Sequence, residues 1–293
     1  MHLVLGHLQD ACCAGVLARL EARGLPARLM ATPLESPARF AWRLDGDGLT
    51  THFALDDGPS IDIDSVLVRS TGWIDPDGWE PADHAYMQSE FQAALLAWLA
   101  GLNCPVVNRS SAALWYRPLN PLLVWQPLLR RCGLLAPETV VTDDPDTAYA
   151  FGGRLEAAGV PGAVCTSLTR DIAWLVGRSD WIGLAAVQGR TPVCLVEPHG
   201  QTRPACIVGR EVIWESSPSP EEISLEPGLL SLAAEAGLNF LEVATASSRR
   251  GLAVVLVEPL PRLDHFDPAT REKILDTLTD LLAPSHRVQE ARP

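Results

Sequence analysis

Of the 23 cationic residues in this sequence of 293, only Lys273 is a lysine and the rest are arginines. Chemistry that needs an ε-amino group therefore has almost nowhere to act. There is no GxxxxGK[ST] loop to cradle phosphates and no lysine in a core strand to form a Schiff base. Seven cysteines stand at 12, 13, 104, 132, 165, 194 and 206. Their odd number and the lack of CxxC spacing argue against a zinc site or a disulfide framework and for buried reduced thiols. Cys12 and Cys13 follow a short apolar strand, where a helix N-terminus lowers a thiol pKa. Adjacent helical residues point about 100° apart, so the two are expected to be packed and not to act as a pair. Asp143, Asp144 and Asp146 fit helix capping better than calcium ligation. Glu258 ends an apolar strand, where an unpaired buried carboxylate is costly; pairing with Arg203 or Arg262 would relieve that cost. Asp264 and His265 either reach the same cleft as Glu258 or, more simply, form a surface turn, and Trp115, Tyr116 and Trp125 are read as core, a lid or a partner-binding patch.

These residues need a scaffold, and the composition allows one. With 47% hydrophobic and 20% charged residues, the chain can build two or three subdomains around substantial cores. A net charge of −13 argues against nucleic acid or an anionic membrane as the main partner, since both reward clustered Lys and Arg. No apolar run reaches the roughly 18 residues of a membrane span, and MHLVLGHLQD lacks the features of a signal peptide. A cytoplasmic location is the expectation.

Residues 2–6 predict a strand, Asp10 opens a helix stopped at Gly24, and a second strand follows, which makes a βαβ start. ARFAWRL and LTTHFAL flank Asp45-Gly46-Asp47-Gly48, a hairpin signal. IDIDSVLVR ends in a buried strand. From His84 to Leu102, the spacing of Phe91, Leu95, Trp98, Leu99 and Leu102 predicts an amphipathic helix. A strand at 104–108, a helix ending near Gly133 and a strand at 138–142 close a first α/β unit over residues 1–142. From Asp146 come a helix to Gly159, a strand at 162–168, and strands at 192–196 and 205–208 read as a pair, then Val212 to Trp214. This gives an α+β unit over 143–215 with an antiparallel sheet. In 216–293, a polar connection to residue 227 leads to a helix at 229–236 and strands at 240–244 and 253–257. A final helix is capped by Asp267, with Pro268 in its first turn and a stripe of Ile274, Leu275, Leu278, Leu281 and Leu282.

Three stretches in this order, SVLVRSTG to RRCGLLAPETVVTDDP, LVEPHGQTRPACIVGREVI and AGLNFLEVATASSRRGLAVVLVEPLPRL, resemble the ATP-grasp superfamily. The likeness is to its glutathione-synthetase-like branch, which includes peptide macrocyclising ligases. It covers roughly Ser65 to Leu282. It implies a pre-ATP-grasp α/β domain followed by a two-subdomain α+β unit. The implied chemistry binds ATP and Mg²⁺, phosphorylates a carboxylate and lets an amine or thiol attack the acyl phosphate. Such chemistry asks for cations on the phosphates and carboxylates on the metal.

Counted against that pattern, most of these groups are missing. The first ATP lysine falls on Leu122, and the second belongs on a strand reading Ala163, Val164, Cys165 and Thr166. Arg170, Arg203 and Arg210 are the nearest cations, and Glu197 follows the strand that presents backbone to adenine. The metal-binding Asp falls on Ala244. In the Glu-x-Asn-Pro motif, Leu256 takes the Glu and Glu258 the Asn; a slipped alignment would instead pair Glu242 with Glu258. The cofactor-facing candidates are therefore Glu197, Arg203, Arg170 and Arg210, with Glu242 and Glu258 toward metal. The expected function is a degenerate ATP-grasp-like protein that binds a peptide, an amino acid or a partner ligase. The alternatives are an active carboxylate-amine ligase using arginines, and a purely structural subunit.

Overall fold

Four buried residues in a row, His2–Leu5, form β1, one of two interior strands of a parallel sheet. In the computed structural model, the residues described are 1–31, 38–46, 48–55, 58–70, 74–109, 121–168, 172–177, 180 and 192–284. Asp10 accepts from the Cys12 amide and starts α1 (Ala11–Ala22), which ends before Gly24 at φ 71°. The chain returns through β2 (Ala27–Met30). Strands β3 (Ala38–Asp45) and β4 (Gly48–Leu55) form the expected hairpin. Strand β5 (Ser65–Val68) is buried throughout. Helix α2 (Pro81–Gly101) buries Phe91, Leu95, Trp98 and Leu99, as their spacing predicts, and β6 (Val106–Val107) completes the sheet in the order β2-β1-β5-β6. Phe40 and Phe53 of the hairpin rest on Trp98, with ring centroids 5.7 and 5.9 Å away.

Helix α3 (Pro121–Arg131) leads to β7 (Thr139–Thr142), read from the sequence as the last strand of the first unit. It pairs instead, antiparallel, with β10 (Val193–Val196) in a second sheet ordered β7-β10-β8-β9. Strands β8 (Ala163–Thr166) and β9 (Ala173–Val176) complete that sheet. Helix α4 (Pro145–Ala157) covers it with Phe151 and Leu155, and its cap is Asp144, which accepts from the amides of Asp146 and Thr147. The Thr147 hydroxyl, which donates to Asp144 at 2.6 Å, and these amides hold the Asp144 carboxyl below the usual range, so Asp144 is a capping residue.

The third sheet, β12-β11-β13-β14, is antiparallel. Its strands are β11 (Arg203–Val208), β12 (Glu211–Trp214), β13 (Phe240–Ser248) and β14 (Gly251–Glu258). The expected pairing of the strand at 192–196 with that at 205–208 does not form, because β10 and β11 lie in different sheets. Helix α5 (Pro220–Ala236) begins nine residues earlier than its apolar spacing predicts. The signal is a capping box: Ser219 Oγ accepts from the Glu222 amide, and the Glu222 carboxylate accepts from the Ser219 amide. Pro220 at the first position suits this start, and Pro227 is carried inside the helix.

Alternation along the strands divides this sheet into two faces. Ala205, Ile207, Leu241, Val243, Val254 and Val257 pack on α5 and α3. Cys206, Val208 and Phe240 face α1 and the capped α6 (Pro268–Leu282), whose Ile274, Leu275, Leu278 and Leu282 are buried as expected. Burial of each such side chain contributes about 1.5–3 kcal/mol. Among the described residues, no helix is long and apolar enough to cross a membrane.

Candidate functional site

The face of the third sheet opposite α5 carries the residues with chemical potential. Across β13 and β14, Glu242 stands opposite Glu258 and Ala244 opposite Leu256. Directly opposed residues share a face, with Cβ atoms about 4.5–5.5 Å apart. Cys206 of β11 stands opposite Glu242 on its other side. The two carboxylates therefore lie side by side, and the next rung, where the ATP-grasp pattern puts an Asp and a Glu, is aliphatic.

Glu242 is fully buried and both its oxygens are engaged. Oε1 meets Nδ1 of His265 at 2.6 Å, and Oε2 accepts from the Arg262 amide at 2.7 Å. His265 is thus the partner of a buried carboxylate and not simply part of a surface turn. The sequence left this pairing open because it spans 23 residues and an irregular turn. Glu258 is half-buried, and its Oε1 accepts from the Leu260 amide. No group of three His, Cys, Asp or Glu converges to hold a metal ion among the described residues. The aliphatic rung and the occupied oxygens of Glu242 do not fit a site for Mg²⁺, which wants free carboxylate oxygens in octahedral array.

Glu197, a candidate for the adenine side, is fully buried at the end of β10. One oxygen accepts from the Glu138 amide and the other from the Arg249 amide. Glu138 in turn holds Arg154 and Arg249. This clasp joins the second sheet to the β13–β14 turn. Replacing Glu197 by Leu leaves both amides unpaired and is expected to cost about 2–4 kcal/mol. Glu197→Gln should lose less, because it keeps one acceptor. Urea denaturation of both variants checks this, and equal midpoints for Glu197→Leu and the parent would refute the clasp.

Arg203 lies on the α5 side of the sheet and is held by Glu222 at 2.6 Å and by Ser216 and Ser217. The geometry thus separates it from Glu242 and Glu258. Arg210 is exposed in the β11–β12 turn. Arg170, Trp115 and Tyr116 lie outside the described residues, as does the tail after Pro284. Lys273 pairs with Glu211. Trp125 packs in the α5 core.

Arg69, which follows β5, was not a candidate. Its Nε donates to Asp10 at 2.8 Å and its guanidinium lies 5.8 Å from the Phe240 ring centroid, at the seam between the first and third sheets. Burial pushes the thiols of Cys12 and Cys13 up to about 12. Since the thiolate is the nucleophile, these two are expected to resist iodoacetamide at pH 8 in the folded protein, while the half-buried Cys132 reacts first. Peptide mass mapping reads this, and early labelling of Cys12 or Cys13 would contradict it.

No family model and no curated protein matches the sequence. Solved structures do match across nearly the whole chain. The macrocyclase MdnC of Microcystis aeruginosa MRC, solved with its precursor peptide MdnA, is 17% identical with a TM-score of 0.73, covering 97% of this chain and 98% of its own. An ATP-grasp ligase of Chryseobacterium gregarium, solved with ADP and a leader and core peptide, is 14% identical with a TM-score of 0.75, covering 96% of both chains. A RimK-domain ATP-grasp protein of Sphaerobacter thermophilus is 18% identical at a TM-score of 0.55, covering 96% of this chain and 98% of its own. The fold is that of the ATP-grasp ligases, as the order of the three sequence stretches implied.

Proposed function

We propose that this ATP-grasp-fold chain has lost nucleotide-dependent ligation and serves as a binding or helper protein related to peptide ligases. One observation carries this reading: Ala244 faces Leu256 across β13 and β14, where metal-binding carboxylates are required by the pattern. An aliphatic pair there gives a divalent ion no oxygen ligand. The lysine positions point the same way, with Leu122 on α3 and Ala163 to Thr166 on β8 offering no cation. The chain's own residues can still bind. Besides Glu242, the groups near this face are the His265 ring, the Glu258 carboxylate and the seam beside Arg69. Because structural neighbours were solved with precursor peptides, a peptide is the ligand class that best fits such a helper.

A melting scan with ATP or ADP, with and without Mg²⁺, tests the reading, and an unchanged midpoint is expected in every case. The pairing of Glu242 with Glu258 favours one second reading, an active carboxylate-amine ligase that uses these two carboxylates and arginines. A Mg²⁺-dependent rise of several degrees would select it.

A further inference from the structure

We infer that the outer edge of β3 is an interface with a second copy of this chain, in which two β3 strands pair antiparallel about a two-fold axis at Trp42. This surface is separate from the face of Glu242 and does not depend on the loss of nucleotide chemistry.

Among the described residues, β3 has only β4 as a strand partner, which leaves its other edge open. The direction of its backbone follows from β4. Phe53 stands opposite Phe40, and the Phe53 carbonyl accepts from the Ile61 amide at 2.7 Å, on the side away from β3. Phe53 and Phe40 are therefore a pair that exchanges no backbone bonds, and alternation turns the amides and carbonyls of Phe40, Trp42 and Leu44 to the open edge. The hairpin is seated on α2, since Phe40 meets Phe91 with ring centroids 5.9 Å apart and a Cβ on Gly101 would touch Leu49 at 2.6 Å. That helix leaves the outer strand bare. Trp42 is 44% exposed and Leu44 71%, on the same face as the buried Phe53.

An open edge with large apolar side chains is a template for another strand, and the residues of β3 select which one. Backbone bonds form only in a register that sets outward-facing residues opposite each other. For two identical antiparallel strands, two such registers overlap most of β3, over residues 38–44 or 39–45 of both copies. The first sets Arg39 opposite Arg43, and like charges directly opposite are destabilising. The second sets Arg39 opposite Asp45, Phe40 opposite Leu44 and Trp42 opposite its own copy. Each end of the paired strands then carries opposite charges, and the exposed Leu44 of one copy lies beside Phe40 of the other. Such cross-strand pairs are the unit of sheet stabilisation. The strand is thus complementary to itself, and the product is a four-stranded sheet, β4-β3-β3-β4, closed by the two-fold axis.

Sedimentation velocity over about 5–500 µM protein is expected to show a monomer–dimer equilibrium with a dissociation constant on the order of 10–100 µM, as suits a small interface. Leu44→Pro removes an outward amide that β4 does not use and should weaken the dimer roughly tenfold or more, with an unchanged circular dichroism spectrum. Arg39→Asp sets carboxylates opposite each other across the axis, and Asp45→Arg sets guanidinium groups opposite each other; each should weaken the dimer by a similar factor. Mixed in equal amounts, the two charge variants again bring opposite charges together and should regain dimerisation. A monomer at the highest concentration would overturn the interface. So would a dimer that Leu44→Pro and Arg39→Asp leave undiminished, or a mixture of the two folded charge variants that stays monomeric.

Discussion

Calorimetric titration with ATP at millimolar Mg²⁺ is expected to show a dissociation constant on the order of 0.1–10 mM or weaker. Two lysine–phosphate contacts contribute about 1.5–3 kcal/mol each as hydrogen bonds between charged groups, so their absence removes roughly 3–6 kcal/mol. At about 1.4 kcal/mol per decade, that carries a micromolar site into the millimolar range. Arginine replacement is the natural compensation, since a guanidinium can grip a phosphate with two bonds. Of the described arginines, Arg210 stands exposed in the β11–β12 turn and three others are committed elsewhere. Arg203 is bound to Glu222 on the far side of the third sheet, and Arg154 and Arg249 both hold Glu138. Micromolar affinity that requires Mg²⁺ would reverse the proposed function.

Replacing Asn108 by Ala is expected to destabilise the protein by about 4 kcal/mol or more. Asn108 has φ 56°, in the left-handed region that Asn tolerates and Ala does not. Its Nδ2 donates to the carbonyls of Phe240 and Pro259 at 2.6 and 2.7 Å, and its Oδ1 accepts from the Phe240 amide at 2.9 Å. Its own amide donates to Asn239 Oδ1. Truncation strands three buried backbone groups, two on Phe240 of β13 and one on Pro259 just past β14, at about 1–3 kcal/mol each, with some relaxation. Thermal melting should fall by roughly 10 °C. Asn108→Gly relieves the backbone strain but not the unpaired groups, so it should recover only about 1 kcal/mol of the loss. Asn108→Asp keeps an acceptor but turns a carboxylate toward two carbonyls, and should be no better than Ala. A loss below about 1 kcal/mol for Ala would show that solvent replaces the side chain.

Local signals carried much of the architecture. The caps of Asp10 and Asp267, the turn at Asp45–Gly48 and the apolar stripes of α2 and α6 all rest on neighbours within a few residues, and all stand as expected. Counting along the ATP-grasp pattern picked out Ala244 and Leu256 separately, and the register sets them opposite each other. What failed was long-range. The alliance of β7 with β10 is a pairing across some 50 residues, which periodicity does not encode. Burial of Glu197 depends on amides 59 and 52 residues away, which nothing near it in the sequence announces. The start of α5 was written in Ser219 and Glu222, but the prolines around them read as a connection. The separation of Arg203 from the carboxylates follows from strand parity, which is known only once the register is.

The Glu197 clasp also bears on how the walls of the third and second sheets can move. A single carboxylate, with no slack of its own, accepts from backbone on both sides. Widening the gap by even an ångström stretches those bonds beyond useful length, so the opening is stepwise and not graded. In mechanical terms the junction is a latch and not a spring. Separation of the two sheets at this point therefore requires the whole latch to release.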